Sequence, residues 1–121
     1  MKNFAVWFEI PVKDLNRAMR FYSGVMAVEL QPMEGGPRKM AFFPMAPGVA
    51  SGSLVEDKEN SPGEKGTLVY LNGGDDLAGP LKRVEAAGGK VLQGKTSIGE
   101  HGFIATFRDT EGNRVALHSM K

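Results

Sequence analysis

Cysteine is absent from this 121-residue chain, which removes disulfides, thiolate metal ligands and a cysteine nucleophile together. Histidine is scarce, with two residues, so any catalysis must use those imidazoles, carboxylates, hydroxyls or a metal. An excess of one charge is also missing. Fifteen Lys and Arg stand against fourteen Asp and Glu, for a formal net charge of +1, and basic residues cluster no further than pairs such as Arg38-Lys39 and Lys82-Arg83. No basic stripe tracks a phosphate backbone, so nucleic acid is not an expected partner. No window approaches the ~18 uninterrupted apolar residues of a membrane span. Met1 to Val6 runs into a strand-like pattern without a secretion signal's apolar stretch and cleavage site. A cytoplasmic protein is the expectation.

What is present is one pattern that occurs twice. Residues 4–12 carry β-favouring side chains and end near Pro11. Asp14 then offers its carboxylate to free amides, and Leu15, Ala18, Met19, Tyr22 and Val25 or Met26 recur at helical spacing. Strand-like runs follow at 28–32, 39–44 and 48–55, separated by turns at Glu34-Gly35-Gly36-Pro37 and Ala46-Pro47-Gly48. A polar stretch at 56–66 separates the copies. The second begins with a strand at 66–72 and a helix bearing Leu77, Leu81, Val84 and Ala87. Its regular part should start near Gly79 or Pro80, since a proline deeper in a helix clashes with the carbonyl four residues earlier. Gly88-Gly89 stops it. Strands fit 90–93, 103–108 and 113–119, the last two joined by Asp109-Thr110-Glu111-Gly112.

Neither copy, at about sixty residues, encloses a sufficient core alone. The expected fold class is α+β: two βαβββ modules, about 3–56 and 66–120, joined by a linker at about 57–65 in a single domain. Their curved sheets should define a cavity, with the helices packed outside.

The order βαβββ twice, the helix entry Val12-Lys13-Asp14-Leu15-Asn16-Arg17-Ala18-Met19-Arg20-Phe21-Tyr22, the later Ala86-Ala87-Gly88-Gly89-Lys90-Val91 and the ending Phe107-Arg108-Asp109-Thr110-Glu111-Gly112-Asn113 resemble the vicinal-oxygen-chelate superfamily over nearly the whole chain. That superfamily includes glyoxalase I, extradiol dioxygenases, methylmalonyl-CoA epimerase and bleomycin- or fosfomycin-resistance proteins. The resemblance implies a small-molecule ligand or substrate and a homodimer, whose cavity is completed within one chain or by exchange of modules. In members with a divalent metal, His, Gln or Glu on the first and last strands of each module supply the ligands. The matching positions here are Trp7, Thr67, Ala116 and the neighbourhood of Ser51 to Ser53. Trp and Ala offer no donor suited to such an ion, so the usual metal site is not supported.

Glu9 lies two positions beyond Trp7 and His118 two beyond Ala116, and period-two alternation gives each the face of a lost ligand position. Together they form a candidate catalytic acid–base pair, or two ligands of an atypical metal site. Against this stands a structural pairing of Glu9 with Arg114 or His118. Ligand contacts are expected from Trp7, through stacking, and from Thr67, its counterpart in the second module. Met40, with Met33 and Met45, suits an adaptable apolar wall, and His101 sits in a glycine-flanked loop at the pocket mouth. Core filling is the commoner role for Trp7 and the methionines, and solvation the commoner state of a loop histidine. Two functions remain open: a glyoxalase- or dioxygenase-like enzyme (a lyase, isomerase or dioxygenase) working through Glu9 and His118, and a metal-independent binding protein of the bleomycin-resistance type.

Overall fold

Asp14 starts the first helix as its position suggests, with extended backbone and a carboxylate that accepts Arg17 N–H at 3.0 Å. The computed structural model describes residues 3–36 and 38–121; Met1, Lys2 and Pro37, which ends the turn expected at 34–37, lie outside the described residues. The order is β1 (Trp7–Pro11), α1 (Leu15–Met26), β2 (Gln31–Pro32), β3 (Lys39–Phe42), β4 (Ser51–Glu56), β5 (Tyr70–Asn72), α2 (Ala78–Arg83), β6 (Lys90–Ser97), a 3-10 turn (Gly99–His101), β7 (Phe103–Arg108) and β8 (Arg114–Ser119). Two four-stranded sheets result, ordered β1-β4-β3-β2 and β5-β8-β7-β6. In each, the first and last strands of the module pair in parallel and the remaining pairs are antiparallel. The repeat therefore holds in topology, and the fold is α+β.

Alternation sorts each sheet into two faces. In the first, Ile10, Ala41 and Leu54 are in register and buried in the core, leaving Trp7, Glu9 and Pro11 on the outward face. In the second, Leu71, Ala105 and Leu117 are in register inside, while Tyr70, Asn72, Ile104 and His118 turn outward. α1 presents Ala18, Phe21, Tyr22 and Val25, all buried, to both sheets. The Tyr22 ring lies 5.8 Å from Phe43 and 6.4 Å from Phe107, and Phe21 lies 5.8 Å from Phe107. Each such aromatic contributes about 2–3 kcal/mol through its burial. One core thus serves both modules, and α1 is shared between the inner faces of the two sheets instead of lying outside its own.

Polar groups fasten the same junction. Glu111 accepts the N–H groups of Lys13 and Asp14 at 2.8 and 2.9 Å, and Glu56 accepts that of Leu15 at 2.8 Å. With Asp14, three carboxylates serve the donor-rich start of α1, where negative charge is favoured. The Asp109 carboxylate accepts the buried Tyr22 hydroxyl at 2.6 Å, and the Asn113 amide donates to Pro11 O at 2.7 Å. The compact turn before the last strand is therefore also a clasp between the modules.

Several elements differ in extent from the sequence pattern. β5 keeps only Tyr70–Asn72 of the strand expected at 66–72, and β6 runs on to Ser97. Two register shifts against β7, on either side of Gln93, let β6 continue past Gly94. α2 begins at Ala78, which puts Pro80 in the first turn, where its missing N–H has no helical partner to lose.

Candidate functional site

The second sheet carries an open hollow on its outward face. Asn72 stands directly across from His118 on one side and Ile104 on the other. Together with Tyr70, Leu71 and Ile98 they line a depression of about 590 Å³, within the usual range for organic ligands. His118 Nε2 is 2.6 Å from His101 O. A carbonyl only accepts, so Nε2 is the donor in this bond, and Nδ1 makes no hydrogen bond among the described residues. The loop bearing His101 is folded back by the Ile98 N–H to Gly102 O bond of 2.8 Å. Gly102 has φ 100°, and a Cβ there would run into Ser119 O; the close approach requires glycine.

Glu9 has a different environment. Arg38 grips its carboxylate with Nη1 at 3.2 Å and Nη2 at 2.8 Å, and reaches Asp57 at 3.6 Å. The hydrogen bond and charge of Glu9 raise the Arg38 pKa above its ordinary value. Glu9 lines a cleft of about 230 Å³ with Pro11, Lys65, Thr67 and Arg114, and His118 is not among that cleft's walls. Both residues face outward as alternation requires, yet within one chain they border separate depressions and have separate partners. β1 is an edge strand of the first sheet while β8 lies inside the second. The expected single hollow holding acid and imidazole is therefore not formed in one chain, and the partner of Glu9 is Arg38 and neither Arg114 nor His118.

Trp7 is 39% exposed, and its ring lies 5.9 Å from that of Phe42, so the tryptophan is an open aromatic platform and not core filling. Met40 is buried on the same outward face, its sulfur 3.7 Å from Arg38 Nη2. Thr67 precedes β5, lines the Glu9 cleft and does not join Tyr70 and Asn72. The His101 imidazole is exposed, and the residue meets the hollow through its carbonyl. Ala116 is buried between Tyr70 and Thr106. Ser53, across from Glu9, has a buried hydroxyl without a partner among the described residues.

The side chains at the family's chelating positions thus do not fit a divalent ion, and among the described residues no group of three or more His, Asp or Glu could hold one. No helix among them is long and apolar enough to cross a membrane. Sequence reasoning missed Tyr70, Asn72, Ile104 and Arg38. The signal for Arg38 was its period-two relation to Met40; for Tyr70 and Asn72 it was the parallel pairing that sets them opposite Ala116 and His118.

A family model described as Glyoxalase/Bleomycin resistance protein/Dioxygenase superfamily matches residues 5–117. A glyoxylase-like domain-containing protein of Didymella fabae is 36% identical over 115 residues, covering 90% of this chain and 88% of that protein. Among solved structures, an antibiotic binding protein, TnmS3 from Streptomyces sp. CB03234, is similar with a TM-score of 0.65 and 26% identity, over 98% of this chain and 97% of that one. A glyoxalase-related enzyme from Fulvimarina pelagi has a TM-score of 0.71 at 16% identity, over 98% and 88% of the two chains, a likeness of fold alone. The chain belongs to the glyoxalase/bleomycin resistance protein/dioxygenase superfamily.

Proposed function

We propose that this chain is a metal-independent, non-catalytic binding protein for a small organic molecule, held on the outward face of the second sheet. The observation that carries this reading is the hollow itself: apolar walls from Ile98 and Ile104, the Tyr70 ring, and two directional groups on directly paired residues, the Asn72 side-chain NH2, whose oxygen already accepts Gly74 N–H, and Nδ1 of His118. Such a mixture orients a ligand without supplying an acid–base pair. The enzymatic alternative needs Glu9 and His118 on one substrate, whereas Glu9 is committed to Arg38. The likeness to an antibiotic binding protein supports a small organic ligand.

The working form in this reading is a homodimer in a cytoplasmic setting. Phe4, Val6, Trp7, Met45 and Val49 are exposed on the first module, and a second copy is the occupant that would shield them while roofing the open hollow. The test is to incubate purified protein with a panel of antibiotics in excess chelator and to follow Trp7 fluorescence, then recover the ligand for mass spectrometry. Saturable binding with ligand returned unaltered supports the proposal. Chemical conversion, or binding abolished by the chelator, contradicts it.

A further inference from the structure

The polar linker between the modules forms one wall of the smaller cleft, the one bordered by Glu9. Gly63 N–H donates to the Asn113 side-chain oxygen at 3.0 Å, and Arg108 Nε donates to Glu64 at 2.8 Å. These bonds fasten the linker and occupy its nearest acid, leaving Lys65 and Arg114 both on the cleft wall. Neither Lys65 nor Arg114 is paired with a carboxylate among the described residues. Ser61 and Thr67 add hydroxyls to the lining. The remaining acid, Glu9, is neutralised by its two bonds to Arg38. The Asn113 side-chain amide is already engaged with Pro11 and Asp109. The lining therefore offers two uncompensated cations and two hydroxyl donors, in a cleft of about 230 Å³.

We infer that this cleft is a second binding site, for a small oxyanion: a phosphate, or the carboxylate of a small acid. The guanidinium fork of Arg114 matches two oxygens of such a group, and Lys65 supplies a point charge. The volume is below that of a site for a drug-sized molecule but sufficient for an oxyanion and a short tail. The site is separate from the His118 hollow, and its test does not depend on what that hollow binds.

Inorganic phosphate titrated at low ionic strength, by calorimetry or amide chemical shifts, provides the measurement. Saturable binding is expected, weakened roughly tenfold in Arg114→Gln and in Lys65→Gln but unchanged in Lys82→Gln, which removes the same charge from α2 outside the cleft. Thermal melts establish that each variant is folded. Competition by acetate would assign the site to carboxylates, and its failure to compete would assign it to phosphoryl groups; either result, with the variant pattern, supports the inference. Absence of saturable binding, or equal weakening by Lys82→Gln, overturns it.

Discussion

The Glu111 carboxylate holds the Arg17 guanidinium through two hydrogen bonds, 2.8 Å to Nε and 2.9 Å to Nη2, joining the last turn of the second module to the first helix. Burial of Glu111 opposes its ionisation, but Arg17, the N–H groups of Asp14 and Lys13 and the Thr110 hydroxyl outweigh burial and hold its pKa at about 2. A depressed carboxyl contributes stability that is complete above its unfolded value near 4.5 and is lost as pH falls from there through about 2. Denaturant melts at pH 7, 4 and 3 should show that decline, and Glu111→Gln should cost about 2–3 kcal/mol at pH 7 and flatten it. An unchanged acid limb in the variant would contradict the assignment.

Tyr22 donates to Asp109 from a fully buried position. Burial, followed by the Asp109 charge, raises its hydroxyl pKa well above 10. The folded chain therefore gains nothing from this group's ionisation while the unfolded chain does, so stability should fall as pH rises past 10. Tyr22→Phe removes the donor and should cost about 1–3 kcal/mol at pH 7, read by urea denaturation.

The pair between Glu9 and Arg38 is partly exposed, and such solvent-screened pairs contribute little to stability. Glu9→Gln should therefore leave the melting temperature almost unchanged and ligand affinity at the His118 hollow untouched. A marked loss of that affinity would restore Glu9 to the working site.

Gly102 keeps the loop carrying His101 folded against β8. Gly102→Ala combines a strained positive φ with a backbone collision, so it should lower stability by about 1–3 kcal/mol. Because the loop holds the His118 ring through the His101 carbonyl, ligand affinity should fall in variant protein that remains folded, as measured by calorimetry.

Topology was largely legible because it rests on local signals: Asp14 at a helix start, Gly88-Gly89 at a stop, and apolar runs of period two and 3.6. Alternation gives Glu9 the face of Trp7 and His118 the face of Ala116, which turn away from the core in their sheets. It could not say whether two outward faces share a space, since that depends on how the sheets pack, and α1 inserts Phe21 and Tyr22 between them. The role of Asp109-Thr110-Glu111-Gly112 as a clasp was hidden for the same reason, because its partners are about a hundred residues earlier. Thr67 falls outside β5, which keeps only the end of the run expected at 66–72, so strand alternation does not place its side chain.

The most direct test of the binding account is a ligand titration followed residue by residue through backbone amide shifts, with His118→Ala and Asn72→Ala alongside. The account predicts saturating shifts centred on Tyr70, Asn72, Ile98, Ile104 and His118, and a loss of affinity of about tenfold or more in each variant. Shifts centred instead on Glu9, Ile10 and Pro11, with affinity intact in both variants, would contradict it.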